Sequence, residues 1–181
     1  MAIDLFDGLN AGCVGTGAGG APGDAERPAA RPAPAHEACE VEMTKVKVEA
    51  GPFVFDAVLE EAKAPRTCAA IKAALPFESH FVHVRWSGEG VWVPLGERDF
   101  GVTYENHTSY PAPGQMILYP GGISETEILL AYGGVHFASK MGQLAGNHFL
   151  TITSQLEKLH ELGTQCLWHG AQALKITLAE A

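Results

Sequence analysis

Imidazole and carboxylate side chains stand where strands are expected to begin, and such groups can exchange protons with a ligand. In the stretch GNHFLTIT, Asn147 and His148 lie where a loop becomes a β-branched run. Adjacent strand residues face opposite sides, so only one of the two can enter a given pocket. Glu125 and Glu127 precede another apolar run, and a carboxylate near an imidazole can act with it in general acid–base chemistry. The alternative is a half-buried histidine bonded to a carbonyl group, with both acids facing water.

A second group of polar and aromatic side chains surrounds a glycine-containing turn. His83 and Arg85 are two residues apart, so on a strand they share a face and could together meet an anionic or carbonyl group. His80 and His83 are three apart and project to opposite faces, so the sequence predicts no metal site and no cofactor. Trp86 and Trp92 flank the turn, either as packing residues or as a flat wall for a small ligand.

The composition indicates a cytosolic protein that binds neither nucleic acid nor a membrane. The chain has 181 residues, of which 46% are hydrophobic and 18% charged, and its formal net charge is −9. A negative charge argues against nucleic acid and anionic membranes as partners. The four cysteines form no C-x-x-C pair, and no apolar run has the length of a membrane span. We therefore expect a cytoplasmic location and a small-molecule ligand.

The first 42 residues differ in composition from the rest. They contain ten alanines, seven glycines and four prolines, which predicts a flexible tail followed by one domain at 43–181. The sequence GTGAGG at 15–20 formally matches the dinucleotide fingerprint. Four prolines after it prevent the helix that such a site requires, so we predict no nucleotide site.

Alternating and β-rich runs in the domain predict about eight strands. They are expected at 45–49, 53–59, 80–86, 91–93, 115–119, 128–132, 149–153 and 173–178.

Two short helices are expected between these strands. The first begins near Pro65 and ends before Pro76. The second covers 154–162, with Ser154 as N-cap, Glu157 as its capping-box partner and Gly163 as terminator. Together these elements predict a mainly β fold, a closed β-barrel with helices over its ends.

Several motifs, in the same order along the chain, resemble the cyclophilins. DAVLE at 56–60, followed by KAPRTCAAIKAAL at 63–75, is similar to their opening strand and helix. AGNHFLTIT at 145–153 is similar to their Gly-Ser-Gln-Phe-Phe-Ile segment, and LKITL at 174–178 to their closing strand. The resemblance implies a cyclophilin-like barrel.

The resemblance is closer to small bacterial cyclophilin-like proteins of unknown function. Those proteins combine a Leu-Pro helix end, a Trp-Gly-acid-x-aromatic hairpin and a Gly-x-x-x-Tyr-x-Pro strand. The counterparts here are LP at 75–76, WSGEGVW at 86–92 and GQMILYP at 114–120. The similarity extends roughly over 44–181.

The same comparison weakens the case for prolyl isomerase activity. Cyclophilins use an arginine, an aromatic pocket and a glutamine; Arg85 is the local arginine, but Gly90 and Val93 stand where the pattern has the aromatic residue and the glutamine. On the later strand, His148 replaces a glutamine and Leu150 replaces the catalytic phenylalanine, and a leucine lacks the flat ring that packs on proline. The resemblance therefore implies the fold, places His148 toward the ligand and disfavours the activity.

We predict a barrel that binds a small polar ligand, an amide or a carboxylate. If it is an enzyme, His148 with Glu125 would act as acid or base on a carbonyl compound. The other expected ligand-binding residues are His83, Arg85, Trp86 and Gln143. The alternatives are a peptidyl-prolyl cis-trans isomerase and a non-catalytic subunit or assembly module. A homo-oligomer is a further expectation, because strand edges and exposed aromatic residues favour pairing.

Overall fold

The structure is a computed structural model and describes residues 43–179. The proposed tail at 1–42, including GTGAGG, lies outside the described residues. The elements are, in chain order, β1 (Lys45–Ala50), β2 (Phe53–Leu59), α1 (Pro65–Ala73), β3 (Phe77–His83), β4 (Gly88–Pro94), β5 (His107–Thr108), β6 (Gln115–Tyr119), β7 (Glu127–Val135), β8 (Ala138–Ser139), β9 (Gly142–Gln143), β10 (Gly146–Ile152), a 3-10 helix (Leu156–Lys158), α2 (Leu159–His169) and β11 (Gln172–Leu178).

Eight antiparallel strands close into a barrel, which confirms the predicted fold class. Their order is β2-β1-β11-β3-β4-β7-β6-β10, and β10 pairs back onto β2 with Leu150 opposite Leu59. The short strand β5 pairs with the start of β10, and β8 and β9 form a separate hairpin. Closure leaves none of the eight strands with an open edge along its whole length.

The inside of the barrel is apolar because inward and outward residues alternate along its strands. In β1, Val46, Val48 and Ala50 are buried, whereas the lysines and the glutamate between them are exposed. The helices α1 and α2 add Ile71 and Leu162, among others, to the same inner core. Burial of this alternating face is the main stabilising term of the fold.

Strands β6 and β7 are buried on both faces, because a second apolar cluster covers the outside of the barrel there. Met116 and Leu118 of β6 belong to the inner core, while Ile117 and Tyr119 face outward. This outer cluster consists of Ile117, Tyr119, Leu129, Ala131, Val135, Phe137 and Leu144, with Val84 and Trp92 packed against it. The outer face of the sheet therefore carries a buried apolar layer at β6 and β7.

The first helix forms where the sequence predicts it, and the second does not. Helix α1 begins at Pro65, as expected. Helix α2 continues through Gly163 to His169. Gly163 does not terminate it but lies inside α2, where the Tyr132 ring packs so closely that a Cβ would overlap it. The hydroxyl of Ser154 accepts a hydrogen bond from the Asp56 amide instead of capping the helix.

Strand β3 also differs from the prediction, and the difference moves two candidate site residues. It begins directly after Pro76 and ends at His83, because its pairing with β11 covers Phe77 to Phe81. Arg85 therefore lies in the turn that leads to β4, outside the regular strand. Over residues 43–179, no helix has both the length and the apolar character needed to cross a membrane.

Candidate functional site

A pocket of about 460 Å³ lies against the outer cluster. It is formed by the end of β3, the turn before β4, the start of β7 and the β8–β9 hairpin. Its lining residues are Val82, Val84, Arg85, Trp86, Ser87, Trp92, Pro94, Ser124, Glu125, Glu127, Ala138, Ser139 and Lys140. The volume and the mixture of indole, aliphatic and a few charged groups are typical of small-molecule sites. We call it the Glu127 pocket.

Glu127, the first residue of β7, is the most perturbed group in this pocket. Its neighbour Ile128 points into the barrel, so Glu127 points outward, yet only 8% of its surface is exposed. Burial, and secondly the charge of Glu125, raise the pKa of Glu127 to about 7. Within residues 43–179 no hydrogen bond to its carboxylate offsets the burial. A carboxyl group with this pKa holds both protonation states near neutral pH and can give or take a proton.

Two cationic and two aromatic side chains line the pocket together with this carboxyl group. Arg85 and Lys140 are exposed and bring two positive charges to the rim. Trp86 lines the pocket and is 59% exposed, so it is accessible to a ligand. Trp92 is half-buried against the outer cluster. The pocket therefore combines two cations, two indoles and a carboxyl group that is partly neutral.

The rim of the pocket is held by one buried serine. The Ser87 hydroxyl donates to the carbonyl oxygen of Ala138 at 3.0 Å and accepts from the amide of Ala138 at 3.1 Å. This pair of bonds imitates a strand pairing and fixes the hairpin that carries Lys140. The turn with Arg85 and Trp86 and the hairpin with Lys140 are thus tied to each other through a side chain that is 4% exposed.

Glu125 also lines the pocket, but it does not meet His148 in a hydrogen bond or ion pair within the described residues. Its Oε2 accepts a hydrogen bond from the amide of Gly96 at 3.1 Å. Because Glu125 and Glu127 are two residues apart, their like charges act on each other.

His148 lies outside this pocket and has other partners. Its Nε2 is 2.9 Å from the Thr151 hydroxyl, which donates to Glu60 at 2.6 Å. The nearest carboxylate oxygen to His148 Nε2 is that of Glu60, at 3.9 Å. Burial lowers the pKa of His148, and the charge of Glu60 partly opposes this. The structure therefore pairs His148 with Glu60 and not with Glu125.

Asn147 has a structural role that links three segments of the chain. Its Oδ1 accepts from the Glu105 amide, and its Nδ2 donates to Thr67 and to the carbonyl of Thr103. The Glu105 carboxylate in turn accepts from the Thr67 amide in the first turn of α1. A fully buried amide thus joins β10, the loop before β5 and the helix N-terminus.

His83 and Gln143 also bond elsewhere. His83 Nδ1 is 2.8 Å from the carbonyl oxygen of Val84, which can only accept, so Nδ1 carries hydrogen. In the neutral ring Nε2 then accepts from the Tyr132 hydroxyl at 2.8 Å. Gln143 bridges Ser109 and His136 and lines a neighbouring pocket. The structure does not bring His83 and Arg85 to one ligand-facing surface, because β3 ends between them.

Three of the expected residues therefore meet in one pocket. Glu127, which the sequence offered beside Glu125 but which was not chosen as a site residue, also lies there, and Lys140 was not expected at all. Arg85, Trp86 and Glu125 come together, joined by Glu127 and Lys140. The sequence pattern of β7 indicates that Glu127 is covered. Glu127 shares a face of the strand with Leu129, and apolar residues on both faces of a strand indicate that both faces are buried. No local signal indicates Lys140, which reaches the pocket through the hairpin. Within residues 43–179, no group of three His, Cys, Asp or Glu residues is placed to hold a metal ion.

The closed barrel with two helices is a cyclophilin-like fold. Residues 46–178 match the family described as "Protein of unknown function (DUF3830)", and the chain belongs to that family. No curated protein matches the chain.

Several solved structures are similar to this chain at low sequence identity, and the two with TM-scores above 0.5 share its fold. McbB in complex with tryptophan has a TM-score of 0.58 and 15% identity, over 75% of this chain. This chain spans only 45% of McbB. The hypothetical protein AF2241 from Archaeoglobus fulgidus, a solution structure, has a TM-score of 0.51 and 17% identity, over 76% of this chain and 95% of its own. A cyclophilin-type peptidyl-prolyl cis-trans isomerase from Cryptosporidium parvum has a TM-score of 0.47 and 11% identity, over 77% of this chain and 99% of its own.

Proposed function

We propose that this protein binds a small, flat carboxylate compound in the Glu127 pocket and that Glu127 exchanges a proton with it. The observation that carries the proposal is the outward-facing side chain of Glu127, which lines the pocket, is only 8% exposed and has a pKa raised to about 7. A group in this state is costly to keep in a purely structural role. Perturbed carboxyl groups inside pockets are typical of functional sites.

The positive charges in the lining are the reason for proposing a carboxylate ligand. Arg85 and Lys140 are the cationic groups of the lining, and guanidinium and ammonium groups bind carboxylates through charge-assisted hydrogen bonds. When Glu127 is neutral, Glu125 is the only negative charge in the lining, so the lining carries a net positive charge. The exposed face of Trp86 suits a planar or aromatic part of the ligand.

The acid–base role passes to Glu127 in this proposal. His148 does not line the pocket, and its Nε2 is engaged by Thr151. Glu127 is placed to give a proton to, or remove one from, a ligand group held between the indoles and the cations. Proton transfer next to a carbonyl group is the reaction class that such a carboxyl group supports.

McbB offers a choice of probe, because it was solved with tryptophan. Tryptophan carries the carboxylate and the aromatic ring that the Glu127 pocket would accommodate. Indole-3-acetate lacks the ammonium group and serves as the matched anion. Both probes test binding without knowledge of a natural substrate.

The experiment compares affinities by titration calorimetry in wild type, an Arg85→Gln/Lys140→Gln double variant and a Lys47→Gln control. Lys47 is an exposed lysine of β1 outside the lining. We expect the double variant to lose about tenfold or more in affinity for indole-3-acetate, and the control to keep it. Equal affinities in all three proteins, or no binding of either probe to wild type, would contradict the proposal.

A second measurement shows whether Glu127 or His148 causes the pH dependence of binding. An anionic probe should bind more weakly as the pH rises through about 7, because ionised Glu127 repels it. Glu127→Gln should remove this pH dependence, whereas His148→Gln should keep it. If the dependence persists in Glu127→Gln and disappears in His148→Gln, the acid–base role belongs to His148.

The proposal also includes the cytoplasmic location and the homo-oligomer that the sequence predicts. The cytoplasmic location is supported by Cys68 and Cys166, two buried thiols that form no disulfide. A homo-oligomer is tested by light scattering. Prolyl isomerisation, the alternative activity, predicts a faster exchange of a prolyl peptide in the presence of the protein.

A further inference from the structure

A second pocket, of about 430 Å³, lies beside the Glu127 pocket. Its lining includes Tyr104, Tyr119, Ser109, Gln143, Ile123 and Leu144. We call it the tyrosine pocket. The proposed function does not use it.

The two pockets share their walls. In the β8–β9 hairpin, Ala138 lines the Glu127 pocket and its cross-strand partner Gln143 lines the tyrosine pocket. Paired strands lie about 4.8 Å apart. In the loop before β7, Ser124 lines the first pocket and Ile123 the second, and consecutive Cα atoms are about 3.8 Å apart. Each of these two partitions is therefore only two residues wide.

Each of the two segments that separate the pockets carries an exposed apolar residue. Ile123 is 60% exposed and Met141, in the turn of the hairpin, is 62% exposed. Below them Tyr119 and Phe137 meet edge to face, with ring centroids 6.0 Å apart, as part of the buried floor. A molecule that crosses from one pocket to the other between Ser124 and Ile123 would cover the exposed Ile123 side chain and remove apolar surface from water.

The chemistry of the two pockets differs. Charged side chains line the Glu127 pocket, whereas those of the tyrosine pocket are uncharged. Burial, and secondly Tyr119, raise the pKa of Tyr104, so its hydroxyl stays neutral. Phenol hydroxyls donate hydrogen bonds to carbonyl oxygens, and Ile123 and Leu144 offer contact to a short hydrocarbon chain.

We propose that the tyrosine pocket is a second subsite for the same ligand, and that this ligand is an amino acid carrying an uncharged acyl group on its nitrogen. Its carboxylate lies at Arg85 and Lys140, its side chain at the indoles, and its amide and acyl chain in the tyrosine pocket. The inference rests on the proposed function, because the carboxylate end must occupy the Glu127 pocket.

The test measures the affinities of tryptophan, N-acetyltryptophan and N-hexanoyltryptophan by calorimetry. Burying about two methylene groups raises affinity by about tenfold. We therefore expect wild type to bind N-hexanoyltryptophan at least tenfold more tightly than N-acetyltryptophan. In an Ile123→Ser/Tyr104→Phe double variant this gain should fall, while the affinity for tryptophan stays the same. Tyr110→Phe is the matched control, because Tyr110 is exposed but does not line either pocket.

The outcomes distinguish this inference from the proposed function. If tryptophan binds but acylation brings no gain, the second subsite is refuted and the proposed function stands. The same holds if the gain is equal in wild type and the double variant. If no probe binds to wild type, both proposals fail.

Discussion

Replacing Glu127 by glutamine should change how the stability of the barrel depends on pH. Glutamine has nearly the same shape but cannot ionise. Burial raises the pKa of Glu127 from its ordinary value of 4.5 to about 7 in the folded protein. The folded protein therefore favours the protonated form, and this stabilisation is complete below pH 4.5 and is lost as the pH rises through about 7.

The size of the effect follows from the same values. One pKa unit corresponds to about 1.4 kcal/mol, so above pH 7 the ionised Glu127 costs the folded state about 3 kcal/mol relative to low pH. The pKa values of Glu60, Glu61 and Glu105 are lowered, so these groups act in the opposite direction, with stability lost as the pH falls. The difference between variant and wild type isolates Glu127.

Urea unfolding at a series of pH values measures this difference. We expect Glu127→Gln and wild type to change in parallel below about pH 4, and the variant to gain about 3 kcal/mol on wild type by about pH 8. Glu125→Gln is the control: it removes the second cause of the raised pKa and should reduce the pH dependence without abolishing it. A difference between Glu127→Gln and wild type that is constant with pH would refute the reasoning.

Three further predictions concern the framework around the site. Gly163→Ala should destabilise the protein by about 1–3 kcal/mol in thermal unfolding, in spite of the better helix propensity of alanine, because the methyl group overlaps Tyr132; an unchanged melting temperature would show that the ring moves aside at no cost. Asn147→Ala should cost about 1–3 kcal/mol in urea unfolding, since a buried amide and a carbonyl lose their partner; a neutral result would mean that water replaces the side chain. In an NMR titration His148 should have a pKa below 6.5, and Glu60→Gln should lower it further, because the carboxylate favours the charged imidazole; a rise in Glu60→Gln would contradict the pairing.

The barrel could be predicted because its strands carry their own local signal. Strand β6 has the predicted bounds, and α1 begins at the predicted proline. Period-two burial and the fixed φ of proline act over a few residues, so a sequence displays them directly. The end of α2 could not be predicted in this way. Gly163 is required by a close approach to Tyr132, and that contact depends on the tertiary structure.

The site was only partly predictable, because side-chain direction depends on where strands end and bulge. Strand β3 ends at His83, which separates this residue from Arg85. In β10 the pairing with β6 shifts between His148 and Leu150, so simple alternation does not assign their faces. Lys140 enters the pocket through a hairpin fixed by Ser87, a contact across 51 positions of the chain. Such features follow from the assembled barrel and not from spacing.

The position of β11 has a consequence for biosynthesis. This strand, the last of the barrel to leave the ribosome, pairs with β1 on one side and with β3 on the other. Until β11 emerges, the edges of β1 and β3 that pair with it have no partner strand. Nascent chains with unpaired strand edges are prone to associate. A chain truncated before residue 172 would therefore expose a slot between β1 and β3 that a strand of another molecule could enter.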